Sequence, residues 1–298
     1  MAPHRPRHRP PPRHWAGILS FTLPLALLLL AQAGCTSLLV QSAVAPAVDN
    51  LQYQSDLELV CDGAPAYLLM LDSLLVKEPG NQALLMAATQ GYSAYAAVME
   101  ECGRPERSTA LAEKARGYGA ALLAGLGADL AISAPGESFA RALAALDRNA
   151  APQLFWGGYG LAIWVKYQAG SPAALALLPR LEQMMQRVVV LDPALFHGAA
   201  HTFLGTYYGA RPLIVGGDPA KSKQHFEQAL ALGNRDFLLT QVAYAETYAR
   251  QTFDRELYEK LLREVLAYPM AKRPGLTLSN TLAQRKARRL LDQVERIF

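Results

Sequence analysis

The chain has 298 residues, 51% of them apolar, with 29 Lys and Arg against 25 Asp and Glu. The whole excess of +4 lies in residues 1–34, which hold Arg5, Arg7, Arg9 and Arg13 and no acid. The remaining 264 residues carry no net charge. That gives no electrostatic reason to bind nucleic acid, and the length suffices for one large core or a repeat array.

Residues 1–34 read as a signal peptide. The arginines form a cationic leader, and the unbroken apolar run Leu25–Ala31 suits a secretory core of about 7–15 residues rather than a span of about 20. Ala33 and Gly34 before Cys35 resemble the lipobox of bacterial lipoproteins, in which Cys35 would take a diacylglycerol thioether and become the first residue. Gln32 departs from the small or aliphatic residue usual there, and an ordinary secreted protein with an incidental Cys35 is the alternative. Thr36, in place of Asp, points to the outer membrane if the cell is Gram-negative. Residues 35–48 are expected to be a tether and residues 49–298 a single domain.

Beyond the tether, Ala and Leu dominate, β-branched runs are scarce, and Pro and Gly recur at intervals, an all-α composition. Apolar periodicity predicts helices over 50–61, 65–77, 81–101, 105–125, 136–147, 153–169, 172–191, 194–211, 219–232, 235–251, 254–267 and 278–296. The breaks fall at EPGN, CGRP, SAPG, AGSP, LDP and GGDP, with proline often at the first helical position. Residues 70–119 also align without gaps on 184–233, a shift of 114. The identities include Pro79 with Pro193, Gly91 with Gly205, Gly103 with Gly217 and Pro105 with Pro219. Gly205, Tyr208, Phe226 and Ala229 match in type and order the small and aromatic positions of a tetratricopeptide repeat. RPLIVGG (211–217) lengthens one turn, and residues 128–152 do not fit the period. The expected fold is a divergent α-solenoid, closed on itself or capped by its terminal helices.

Chemistry-bearing motifs are few. Cys61 and Cys102 fall near the open end of a helical hairpin about Pro79, so an oxidising envelope permits a disulfide; two separately buried thiols are the alternative. HGAAH sets His197 and His201 four apart on one helix face. It lacks the glutamate of HExxH and a third ligand, so structural or pocket-lining histidines are expected and no metal or cofactor. The chain has no GxSxG, P-loop or CxxC, and GGYG (157–160) has no strand before it. RKARR (285–289) reads as a solvated helix face. LFWGGYGLAIWVKY (154–167) and HTFLGTYYGARP (201–212) gather Trp156, Tyr159, Trp164, Tyr207, Tyr208 and Arg211. These are either repeat packing or the lining of an apolar site with a few polar handles.

The lipobox followed by DLELVCDGAPAYLLMLDSLL, FWGGYGLAIWVKY, HTFLGTYYGARP with GGDPAKSKQHFEQAL, and VAYAETYARQTFDRELYEKLLREVL resembles the T-component (TatT) family of tripartite ATP-independent periplasmic (TRAP) transporters, over about 50–270. The resemblance implies an all-helical, tetratricopeptide-like lipoprotein that assembles as a homotrimer with pore-like openings. It also implies a periplasmic solute-binding protein as partner, a small organic or hydrophobic ligand, and no enzyme activity. The matching positions Trp156, Tyr159, Trp164, His201, Tyr207, Tyr208 and Arg211 become candidates for a pocket or pore. An envelope scaffold that binds proteins or peptides and no small molecule remains the alternative.

Overall fold

The computed structural model describes residues 50–168 and 170–298. The chain divides into two units, Met1–Ala47 and Val48–Phe298, and every described residue belongs to the second. The signal peptide, Cys35 with its lipobox and the 35–48 tether therefore lie outside the described residues. Within them there is no strand, and the architecture is all-α.

The helices are α1 (Leu57–Lys77), α2 (Gln82–Val98), α3 (Ser108–Leu126), α4 (Gly136–Ala145), α5 (Ala151–Lys166) and α6 (Pro172–Leu191). They are followed by α7 (Leu195–Gly209), α8 (Pro219–Leu232), α9 (Leu239–Tyr244, continued by a π-helical turn at Ala245–Ala249), α10 (Arg255–Ala267), α11 (Thr277–Asp292) and α12 (Val294–Ile297). Short polar side chains start many of them. Asp56, Asn81, Ser171, Asp218 and Asp254 each accept a hydrogen bond from a first-turn N–H, and each such cap contributes about 1 kcal/mol. Pro172 and Pro219 take the first helical position, where a missing N–H costs nothing.

Several expectations are corrected. The break expected between 61 and 65 is absent: α1 runs unbroken through Pro65. Proline there leaves the carbonyl of Cys61 without its helical donor, and the hydroxyl of Tyr95 on α2 donates to that oxygen at 2.7 Å instead. A tertiary hydrogen bond thus rescues the helix. Downstream, Asn234 and Arg235 are left-handed, so the helix expected from 235 starts only at Leu239. The helix expected over 136–147 does form, as α4 within the segment that does not fit the period, and its Phe139 and Leu143 enter the core. Arg180 and Arg187 of α6 pin it by donating to the carbonyls of Ala131 (3.2 Å) and Ala144 (2.9 Å).

GGYG acts in packing. A Cβ on Gly119 of α3 would lie 2.8 Å from the Gly157 carbonyl oxygen, and one on Gly160 would lie 2.6 Å from that of Ala115. Helices α3 and α5 therefore touch backbone to backbone. RKARR is a partly solvated face whose arginines are ion-paired to distant acids. Ala283 and Ala287 are buried, and Arg285 pairs with Glu58 (2.9 Å) while Arg289 pairs with Glu100 and with Glu101 (2.8 Å). These acids lie 188 to 227 residues earlier in the chain, and their pairing fastens α11 to the start of α1 and the end of α2. A disulfide between Cys61 and Cys102, with Cα atoms 5.7 Å apart, ties the same two helix ends together.

Candidate functional site

A dense polar and aromatic constellation is built by α6, α7 and α8. Leu181, Met184, Met185 and Val188 form the buried stripe of α6, and Glu182 and Gln186 flank it one turn apart. Across from them, Tyr207 of α7 donates its hydroxyl to Glu182 Oε2 at 2.8 Å, and Tyr208 donates to Oε1. Gln186 Nε2 donates to Glu182 Oε1 (3.1 Å) and to the Tyr208 hydroxyl (3.3 Å). Gly205 and Gly209 let α8 approach this part of α7: a Cβ on Gly205 would meet the Phe226 ring at 2.8 Å, and one on Gly209 would meet Ser222 Oγ at 2.5 Å.

That approach brings His225 of α8 onto the site. Its ring stacks on Tyr208 with centroids 5.7 Å apart and faces His201 Nδ1 to Nδ1 at 2.9 Å. The ring centroids of the two histidines are 5.1 Å apart, which leaves both nitrogens close to the line joining the rings. That is the geometry of one shared proton, with one imidazole donating and the other accepting. Two ligands of one ion would instead aim their lone pairs at a point beside that line. Among the described residues no group of three or more His, Cys, Asp or Glu could hold a metal ion. HGAAH does not act as a pair: Phe196, His197 and Gly198 are all left-handed (φ 48°, 63° and 76°). His197 is thereby turned away to stack on Phe237 at 5.5 Å, and the expected shared face does not exist.

Two cations cover the tyrosine rings. The Arg211 guanidinium sits 3.7 Å from the Tyr207 centroid and Lys221 Nζ 5.1 Å from that of Tyr208. Arg211 is fixed by donating to the carbonyls of Tyr207 (3.0 Å) and Gly216 (3.1 Å), and among the described residues it has no carboxylate partner. Burial and the bond to Glu182 push the Tyr207 hydroxyl pKa up and that of Tyr208 up to about 12, so both remain neutral donors. Burial lowers the pKa of His201. Burial, then His201 and Lys221, lower that of His225 to about 4, so the shared-proton pair is neutral at pH 7.

The sequence candidates separate into three places. His201, Tyr207, Tyr208 and Arg211 surround Glu182. Trp156 and Tyr159 pack with Phe155 and Phe196, with centroids 5.2 to 5.6 Å apart; among the described residues the buried Trp156 Nε1 has no hydrogen-bond acceptor. Trp164 lies apart, beneath the Arg116 guanidinium at 5.0 Å. Glu182, Gln186, His225 and Lys221 escaped sequence reasoning. The i,i+4 acid and amide beside an apolar stripe, and a histidine next to the packed Phe226, were their only traces.

A cleft of about 280 Å³ opens elsewhere, between α8, α9 and α10, lined by Lys223, Glu227, Tyr244 and Asp254 among others. No curated protein matches the chain. The family model described as TRAP transporter T-component matches residues 53–298, and with most of its length so covered, the chain belongs to the TRAP transporter T-component family.

Proposed function

We propose that the protein is a periplasm-facing lipoprotein accessory subunit of a TRAP transport system, anchored through Cys35 in the outer membrane. In this reading it binds a periplasmic solute-binding protein and passes on a small organic or hydrophobic ligand, without enzyme activity. The observation that carries the reading, beyond family membership, is the Glu182 constellation. Three buried aromatic or imidazole rings, an Arg211 without a carboxylate partner and a neutral histidine pair converge there, apolar walls with a few polar handles as a ligand site requires. Trp156 and Tyr159 beside Phe196, and Trp164 beneath Arg116, would be separate contact points along α5 rather than part of this lining.

We also infer a tetratricopeptide-like array. Helices α6 and α7 repeat the boundaries of α1 and α2 nearly 114 residues on, and concave faces of such stacks make extended binding surfaces. Homotrimer formation is supported by the outer face of α1, where Leu59, Leu69, Met70 and Val76 are exposed. A protein scaffold without a small-molecule ligand is the second reading, favoured by the charged lining of the α8–α10 cleft.

The test is native mass spectrometry of the Cys35→Ser chain purified from a periplasm of its own species. A trimer carrying a solute-binding protein, with a small ligand that is lost in Arg211→Ala, is expected. A ligand-free particle bound to unrelated envelope proteins would sink the transport reading.

A further inference from the structure

One end of the helices presents isolated apolar tips that the core does not use. Leu213 and Ile214, in the α7–α8 turn, are 73% and 93% exposed; Phe253, in the turn before α10, is 78% exposed, and Leu175 at the start of α6 is 52% exposed. They share one end of the fold. Gly209 closes on the backbone of Tyr248, so the last turn of α7 and the π-helical turn after α9 finish side by side. Glu182 meets Tyr207 and Tyr208 near the end of α7, which puts Leu175, two turns earlier on α6, toward the same end.

These tips are held firmly. Gly217 N donates to Pro212 O (3.0 Å), Asp218 N to Tyr208 O (3.0 Å) and Gly216 N to Leu213 O (3.1 Å), with Arg211 bonded across the loop to Gly216. Phe253 is left-handed (φ 56°), a conformation uncommon for a bulky residue and worth a functional explanation. The same turns carry the exposed cations Lys221 and Arg250. Lys221 Nζ lies 3.5 Å from Asp218 Oδ2, whose other oxygen caps α8, and Arg250 is exposed at the end of the π-helical turn.

We propose that this end of the fold rests on a lipid bilayer, with Leu213, Ile214 and Phe253 inserted among the headgroups and Lys221 and Arg250 meeting lipid phosphates. None of these tips lines the cleft between α8, α9 and α10. A protein partner would need a matching pocket for each, whereas a fluid interface accepts points at any spacing, and aliphatic or aromatic side chains beside cations suit that boundary. The inference rests on the lipid-anchor reading for its strength. Asn50 follows Cys35 by 15 residues, which span at most about 50 Å, so an anchored domain meets the surface at high effective concentration and a weak contact is enough.

The test uses the mature lipidated chain in vesicles of phosphatidylethanolamine and phosphatidylglycerol, spin-labelled at Ile214→Cys or Phe253→Cys, with Val190→Cys at the far end of α6 as control. Labels at 214 and 253 should be reached by oxygen and shielded at least five-fold from a water-soluble nickel chelate relative to 190. Equal nickel access at all three positions in vesicle-bound protein would overturn the proposal and return the tips to a protein partner. The mass of the N-terminal peptide separately reports whether Cys35 is acylated. If it is not, flotation of the unlipidated chain with the same vesicles decides: a five-fold loss in a Leu213→Ser, Ile214→Ser, Phe253→Ser variant supports the contact, and no change overturns it.

Discussion

Among the described residues, two carboxylates are each gripped by two tyrosine hydroxyls, and their surroundings set them apart. Asp72 of α1 accepts from Tyr92 (2.8 Å), Tyr118 (2.5 Å) and Lys114 (2.8 Å). Burial pushes its pKa up, but the bonds from Lys114, Tyr118 and Tyr92 outweigh this and hold it below the usual 3.8. Glu182 has the two tyrosines and a neutral Gln186, while the nearby cations lie on ring faces and the adjacent histidines carry no charge. The first network is a closed structural knot toward the end of α1, whose start is braced by the disulfide and by Arg285 of α11. In the second, among the described residues no cation pairs with the Glu182 carboxylate, which its two tyrosines and Gln186 hold by neutral donors alone.

The largest difference between the two regions should come from cutting the disulfide. Cys61→Ala with Cys102→Ala opens a loop closed over 41 residues and should lower unfolding free energy by about 4 kcal/mol, measured by urea denaturation. Hydrogen exchange should rise in α1, α2 and α11 before α6 to α8; uniform loosening would argue against a separately braced end. Next in size, Asp72→Ala strands two hydroxyls and an ammonium and should cost about 2–3 kcal/mol, against about 1–2 for Glu182→Ala. Equal losses would erase the distinction drawn between knot and site.

A smaller effect concerns pH. His225 titrates near 6.5 unfolded and about 4 folded, so above pH 6.5 it contributes no pH dependence. As pH falls from 6.5 through 4 the unfolded chain binds a proton that the folded one refuses, and stability declines. Asp72, lowered on folding, contributes stability above its unfolded 3.8 that is lost only as pH falls below that range. The α6–α8 region should therefore loosen at pH 5 while α1–α3 holds. His225→Gln should flatten the dependence in thermal melts between pH 7 and 5; an unchanged slope would assign it to other groups.

Much of the helix order was legible in the sequence because caps and turn prolines act within four residues: Asn81, Pro172, Asp218 and Asp254 mark their helices by chemistry alone. Half of the site was legible as well, since His201, Tyr207, Tyr208 and Arg211 lie within one eleven-residue stretch. Glu182 and His225 were not. They become site residues only when α6 and α8 close on α7, and nothing in their own neighbourhoods announces that contact.

Composition, periodicity and capping are local properties, and they alone specified an all-α chain, its turn points and a neutral body behind a cationic N-terminal segment. Tertiary structure decided what those local signals left ambiguous. It carried α1 across Pro65 by lending Tyr95, used GGYG to press two backbones together, parted His197 from His201 with a left-handed turn, and matched Arg285 and Arg289 to Glu58, Glu100 and Glu101. Each of these outcomes depends on a partner whose distance in space is not readable from its distance along the chain.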